Sequence, residues 1–164
     1  MRIATIACAA LIACAPLAQA QDATYALRSL TPASALKAAQ AALEKCRHSD
    51  DQVTVAVVDR MGITQVLLRD RFAGPHTPDM AISKAWTALS FRTDTSEFAE
   101  ATQPGRAQSG VRHRPGIAAV GGGLLVQGGG NPLGGIGVSG APGGKEDDTC
   151  AAAGIAAIEE SLAF

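Results

Sequence analysis

The 164-residue sequence is poor in aromatic residues, with one Trp, one Tyr and four Phe. Large aromatic walls are therefore scarce, and the abundance of Ala, Val, Ile and Gly predicts a compact core of small side chains. An excess of basic charge is also missing, because 14 Lys and Arg face 15 Asp and Glu. A near-neutral chain without a basic run argues against nucleic acid or an anionic membrane as the main partner.

Several motifs that would identify an enzyme or a metal site are missing as well. The sequence has no Cys-x-x-Cys pair, no Gly-x-Ser-x-Gly elbow and no phosphate-binding loop. Its three histidines are too far apart for a zinc signature. No apolar run reaches the roughly 20 residues that a membrane span requires. These absences leave any catalytic mechanism unassigned.

The first residues are typical of a secretory signal peptide. Met1-Arg2 precedes an apolar run over residues 3–17 and the small-x-small sequence Ala18-Gln19-Ala20. We therefore expect cleavage near Ala20, a periplasmic or secreted protein, and one domain over residues 21–164. An alternative is a lipoprotein with a lipidated N-terminus at Cys14.

Removal of this leader leaves two cysteines, Cys46 and Cys150. In an oxidising compartment they are expected to form a disulfide, because each lies near a polar helix end. The bridge would close a loop of about 100 residues, worth up to about 4.7 kcal/mol in the chain-entropy model. The alternative is two separate buried thiols.

Apolar spacing and turn residues predict an alternation of helices and strands. A helix over 33–46 follows the cap Thr31-Pro32, and Thr77-Pro78 is expected to start a second helix by the same device. Asp94 and Glu97 resemble a capping box. The predicted helices cover residues 33–46, 77–91, 94–101 and 145–162, and the predicted strands cover 53–58, 63–68, 117–120, 124–127 and 133–139. This order favours an α+β sandwich around an antiparallel sheet of about five strands.

The glycine-rich segment from Gly121 to Asp148 predicts a hairpin followed directly by a helix. Bare backbone near Gly143 and Gly144, beside the helix start, could receive a carboxylate or phosphate. The alternative is that these glycines serve turn geometry alone.

Three segments of the chain carry a resemblance to a known family. These are VTVAVVDRMG at 53–62, AGPHTPDMAISKAWTALSFRT at 73–93, and GGIGVSGAPGGKEDD with the following CAAAGIAAI. They resemble the GlcG and HbpS group (DUF336), which includes the C-terminal domain of PduO-type proteins. The resemblance implies a profilin-like α/β/α sandwich that assembles into dimers or larger homo-oligomers. It also implies binding of haem or, in some members, a related tetrapyrrole such as cobalamin.

Both His76 and His113 are candidates for ligand binding. His76 precedes the second helix in a loop stiffened by Gly74 and Pro75, so it could ligate haem iron; the alternative is a surface histidine that helps Thr77 to cap the helix. His113 lies between two arginines in a long loop that is either a binding loop or a solvated basic one.

Further candidates are polar or cationic residues near helix ends. Arg92, Thr95 and Arg112 could receive a carboxylate or a haem propionate, although helix capping explains Thr95 almost as well. Lys84 shares the second helix with Trp86, which could stack on a macrocycle but more often anchors a core or an interface. The full candidate set is His76, Thr77, Lys84, Arg92, Thr95, Arg112, His113, Gly143 and Gly144.

The leading hypothesis is an exported protein that binds haem or a related tetrapyrrole as its small-molecule ligand. A second hypothesis is a non-catalytic partner domain that serves assembly. A third is an enzyme that acts on a small carboxylate metabolite, suggested by the arginines and the glycine-rich helix start.

Overall fold

The computed structural model describes residues 25–163. The predicted signal peptide at 1–20 and the alternative lipidation site at Cys14 lie outside the described residues. Across residues 25–163, no helix combines the length and the apolar character needed to cross a membrane.

Helices cover the two faces of one antiparallel sheet with strand order β2-β1-β4-β3. Helices α1 and α4 pack on one face, and α2 packs on the other. In chain order the elements are α1 (Pro32–Arg47), β1 (Thr54–Asp59), β2 (Thr64–Arg69), α2 (Thr77–Phe91), α3 (Thr95–Ala101), β3 (Gly123–Gly128), β4 (Asn131–Ser139) and α4 (Gly144–Ala156), with 3₁₀ turns at Ser109–His113 and Glu159–Leu162. The α/β/α sandwich expected from the sequence is therefore confirmed.

Glycines in β4 bring α2 unusually close to the sheet. A Cβ atom at Gly137 would lie 2.1 Å from the carbonyl oxygen of Ala81, and one at Gly135 would lie 2.4 Å from that of Ala85. On the opposite face Ile136 and Val138 fill the core beneath α1 and α4. The first two glycines of the G-x-G-x-x-G pattern at 135–140 thus lie in β4 and serve packing, and only Gly140 follows the strand, whereas a dinucleotide motif has its glycines in a strand-to-helix turn.

The described sheet has four strands, so the prediction of about five was too high. The segment predicted as a strand at 117–120 has no ladder partner. Instead the backbone N–H of Ala118 donates to Oγ1 of Thr87, a bond of 3.0 Å. A side-chain hydroxyl on α2 thus accepts the hydrogen bond that a neighbouring strand would accept in a ladder.

Three predicted helix ends were also wrong in detail. The cap of α2 is His76, because the hydroxyl of Thr77 donates to the Gly74 carbonyl at 2.7 Å instead of capping an N–H. Asp94 precedes α3, but its carboxylate accepts from the N–H of Leu125 and forms no capping box. The last helix ends at Ala156 instead of residue 162.

The predicted disulfide joins Cys46, in the last turn of α1, to Cys150 in α4, with a Cα–Cα distance of 5.5 Å. Both cysteines are buried. The expectation that each would lie at a polar helix end was wrong for Cys150, which is in the middle of α4. The bridge fixes α4 against α1.

Candidate ligand-binding groove

A cavity of about 330 Å³ lies where α2 and α4 both begin. We call it the His76 groove. Besides His76 itself, the residues that matter for its chemistry are Met80, Lys84, Gly143, Gly144 and Asp147. The antiparallel sheet creates this site, because β2 and β4 both end opposite Thr54 of β1. The loop before α2 and the loop between β4 and α4 therefore leave the sheet at the same end.

His76 lies at the rim of this groove with its imidazole exposed. The ring rests against the backbone of Gly74, where an added Cβ would be 2.9 Å from Nδ1 and 2.7 Å from Cε1. Gly74 is therefore needed for this position of the ring. An exposed imidazole at the rim of a cavity can bind a metal centre that enters from solvent.

The interior of the groove contains a buried ion pair. Nζ of Lys84 donates to Oδ2 of Asp147 at 2.7 Å and to the carbonyl oxygen of Val138 at 2.9 Å. Oδ1 of Asp147 accepts from the N–H of Ala141 at 3.1 Å. Lys84 is 2 % exposed and Asp147 is 3 % exposed. These bonds hold together α2, the end of β4 and the start of α4.

Burial raises the pKa of the Asp147 carboxyl group, although the hydrogen bond and the positive charge of Lys84 oppose this rise. The ammonium group of Lys84 is hydrogen-bonded to two acceptors inside the protein. Lys84, a candidate for ligand binding, therefore lines the groove but is not available as a free cation for a ligand.

The start of α4 carries no side-chain cap, since its N-cap residue is Gly143. The next residue, Gly144, packs against the backbone of Gly121, where an added Cβ would lie 2.8 Å from N and 2.9 Å from Cα. Backbone N–H groups in an uncapped first turn favour a negatively charged group. The predicted role of Gly143 and Gly144 as an anion-receiving turn is compatible with this geometry.

A second cavity, of about 500 Å³, adjoins the His76 groove at Val120 and Gly144. Glu97, Glu100 and Lys145 line it. Val120 is 42 % exposed and supplies apolar surface between the two cavities. Together they form one extended depression with an apolar middle and charged ends.

Three of the remaining candidates have their polar groups bonded within the protein. The Thr77 hydroxyl contacts the Thr54 hydroxyl at 2.6 Å, and Thr95 accepts from the N–H of Gly123 at 2.8 Å. The guanidinium of Arg112 donates to the Thr102 hydroxyl at 2.9 Å and to the Ala99 carbonyl. In this arrangement these groups hold loops in place.

The other two candidates lie away from the His76 groove. His113 is exposed in the 3₁₀ turn, and Arg92 lines a separate cavity at the far end of α2. The structure thus brings together His76, Thr77, Lys84, Gly143 and Gly144 and separates them from Arg92, Thr95, Arg112 and His113.

Sequence reasoning missed Asp147 and Val120. Asp147 lies in the first turn of α4, where an acidic residue already suits the helix dipole, so its position alone does not indicate a buried ion pair. A buried lysine requires a partner, and Lys84 lies on α2 close to small apolar residues, so a search for its counter-ion would have pointed to Asp147. No sequence signal indicated Val120.

Comparisons with known proteins agree with this architecture. The family model "Haem degrading protein HbpS-like" matches residues 30–156. A crystal structure of a Streptomyces reticuli HbpS double mutant is 42% identical and superposes with a TM-score of 0.77, covering 88% of this chain and 97% of that one. This protein belongs to the HbpS-like family.

Two further relatives link the chain to PduO. The crystal structure titled "PduOC:Heme Complex" is 31% identical with a TM-score of 0.76, over 79% of this chain and 95% of that one. The corrinoid adenosyltransferase PduO of Salmonella typhimurium is 35% identical over 121 residues, which is 73% of this chain. Those residues span only 36% of PduO itself.

Proposed function

We propose that this protein is an exported haem-binding protein that holds haem in the His76 groove, with His76 as the iron ligand. The observation that carries the proposal is the exposed imidazole at the rim of a depression whose middle is apolar. Imidazole is a common axial ligand of haem iron, and bound haem supplies a redox-active metal centre.

The groove offers suitable contacts for both parts of the ligand. Met80 is 37 % exposed, and with Val120 it provides apolar surface for the macrocycle. Lys145 and the uncapped start of α4 could pair with propionates. Glu97 and Glu100 would repel those carboxylates, so the propionate edge is expected to face away from them.

The names of the family and of one relative support haem as the ligand. The family model is described as "Haem degrading protein HbpS-like", and the structure of one relative is titled "Crystal Structure of PduOC:Heme Complex". Cobalamin is the weaker alternative, since the corrinoid adenosyltransferase PduO is much longer than the part this chain matches. The present groove has no feature that favours a corrin over a porphyrin.

Export and self-association are part of the same proposal. The apolar leader and the buried disulfide both suit an oxidising compartment. Among residues 25–163, no Phe, Tyr or Trp lines either cavity, and a flat macrocycle in so open a depression would keep one side in water. A second copy of the chain could cover that side, which supports a homo-oligomer.

Haemin titration of the protein purified without its first 20 residues tests the proposal. We expect a saturable Soret shift that weakens at least about tenfold in His76→Ala, because the iron loses its ligand. The matched control is His48→Ala, which removes an exposed histidine at the end of α1. His113→Ala tests the other candidate ligand.

An unchanged Soret spectrum in the wild type would reject haem binding, and equal affinity in His76→Ala would reject the assigned ligand. Cobalamin added in competition distinguishes the two tetrapyrroles. Light scattering with and without haemin measures the subunit count. The mass of the protein from the periplasm or medium shows whether the chain begins after Ala20 or at a lipidated Cys14.

A further inference from the structure

A separate cavity of about 260 Å³ lies at the opposite end of α2 from the His76 groove. The hairpin turn after β1 contributes Arg60 and Gly62, and the end of α2 contributes Trp86, Ser90 and Arg92. We call this cavity the Trp86 pocket. None of the haem candidates except Arg92 belongs to it.

The polar side chains of the Trp86 pocket are hydrogen-bond donors. Nη1 of Arg60 donates to the Pro132 carbonyl, and among the described residues no acceptor is bonded to its other guanidinium N–H groups. Within residues 25–163, no acceptor is bonded to the Trp86 indole N–H, the Ser90 hydroxyl or the Arg92 guanidinium. No carboxylate lines the pocket.

The acidic residue next in sequence, Asp59, is committed elsewhere. Its Oδ1 accepts from the N–H groups of Met61 at 2.8 Å and Ile63 at 2.9 Å, and so shapes the hairpin turn. The guanidinium groups of Arg60 and Arg92 are therefore not neutralised within the pocket. Such a set of donors is suited to an anion.

The backbone at Arg92 gives independent support. Arg92 caps α2 in the left-handed conformation with φ 54°, a position at which glycine is strongly favoured. A residue with a Cβ costs about 1 kcal/mol or more there. The chain thus retains a guanidinium at a place where its backbone would prefer no side chain, which points to a role for that side chain.

The indole of Trp86 is held in a defined position. A Cβ at Gly62 would lie 3.0 Å from Cδ1 and 3.1 Å from Nε1, so the turn packs directly on the ring edge. The guanidinium carbon of Arg114 lies 4.9 Å from the ring centroid. A third positive charge is therefore close to the pocket, and together these cations outweigh the negative end of the α2 dipole.

We propose that the Trp86 pocket is a binding site for a small oxyanion-bearing metabolite, a carboxylate or a phosphate. Arg60 and Arg92 pair with the oxyanion, and Trp86 and Ser90 donate neutral hydrogen bonds. The volume limits the ligand to a small molecule. This site is separate from the His76 groove and does not depend on haem binding.

The sequence provides a direct probe, because Trp86 is the single tryptophan of the chain. We would titrate the full mature protein with inorganic phosphate and with succinate at constant ionic strength, and follow tryptophan fluorescence and calorimetric heat. A saturable response to one or both is expected. The two probes distinguish phosphate from carboxylate recognition.

Two variants and two controls decide the assignment. Arg92→Gly suits the backbone and removes the guanidinium, so affinity should fall about tenfold or more in a folded protein; Arg60→Gln should act similarly. Arg106→Gln, which removes an exposed arginine outside the pocket, should bind like the wild type. His76→Ala should also retain anion binding, which separates this site from the haem proposal.

Absence of any saturable signal by either method in the wild type would overturn the proposal. Wild-type affinity in Arg92→Gly would overturn it as well. Circular dichroism of each variant shows whether a loss of affinity reflects the site or a loss of the fold.

Discussion

The two ends of α2 handle polar groups in opposite ways. At its beginning, the charges of Lys84 and Asp147 are buried and bonded to each other, and apolar and glycine surface forms the rim. At its end, guanidinium N–H groups of Arg60 and Arg92 have no partner within the described part of the chain and lie around a half-buried indole. A charge that is paired inside the protein supports the fold, whereas a charge left unpaired at a cavity is available to a ligand.

The largest effect on stability is expected from breaking the ion pair at the beginning of α2. Lys84→Met leaves Asp147 buried without its partner and should lower the free energy of unfolding by about 3–5 kcal/mol at pH 7. Urea denaturation measures this change. The double variant Lys84→Met/Asp147→Leu removes both charges and should recover most of the loss.

The loss should depend on pH with a definite sign. Because burial raises the pKa of Asp147 above its usual 3.8, the carboxyl group takes up a proton more readily in the folded protein than in the unfolded chain. The associated stability is fully present below that ordinary pKa and is lost as pH rises through the folded pKa. Removing Lys84 raises the pKa of Asp147 further, so the destabilisation should shrink from pH 7 to pH 5. A loss that grows on acidification would contradict the assignment.

An intermediate effect is expected where backbones meet beside the groove. Gly144→Ala places a Cβ within 2.8 Å of the Gly121 nitrogen and should cost about 1–3 kcal/mol. Gly143→Ala is the matched control, since its Cβ would meet only the flexible end of Glu146. Thermal melts of both proteins compare them. Equal melting temperatures would show that the Gly144 contact is not rigid.

The smallest effect concerns the other end of α2. Arg92→Gly removes the strain of a side chain in the left-handed backbone conformation, but glycine also raises the conformational entropy of the unfolded chain. The free energy of unfolding should therefore rise by no more than about 1 kcal/mol. Arg92→Ala keeps the strain and is the control. Chemical denaturation should rank Gly at or above Arg, and Ala below Gly. If Arg92→Gly is strongly destabilised, the guanidinium is part of the fold and the contrast between the two ends fails.

The sequence predicted the elements but not the partners of individual polar groups. Apolar periodicity and turn glycines located both hairpins and the four helices, since these signals are local. The strand expected at 117–120 failed because a hydroxyl on α2, Thr87, satisfied its backbone. That competition is between residues 31 apart in the chain.

The candidate site was predicted in the same uneven way. The loop position of His76 predicted an accessible imidazole, and the ring is exposed in the structure, because loops on a rigid scaffold stay near solvent. Residue type alone suggested Arg112 as a ligand-binding group, yet its guanidinium is bonded to Thr102 and Ala99. The sequence shows which residue types could bind a ligand, but tertiary contacts decide whether their polar groups are free to do so.

The bridge between Cys46 and Cys150 encloses the exposed loop from Gln103 to Gly116. A protease that cuts this loop would produce two fragments that stay covalently attached through the two cysteines. Clipped molecules would then migrate as full-length material on a non-reducing gel and separate only after addition of thiol. A protein built in this way tolerates a nick in this exposed loop without losing either half.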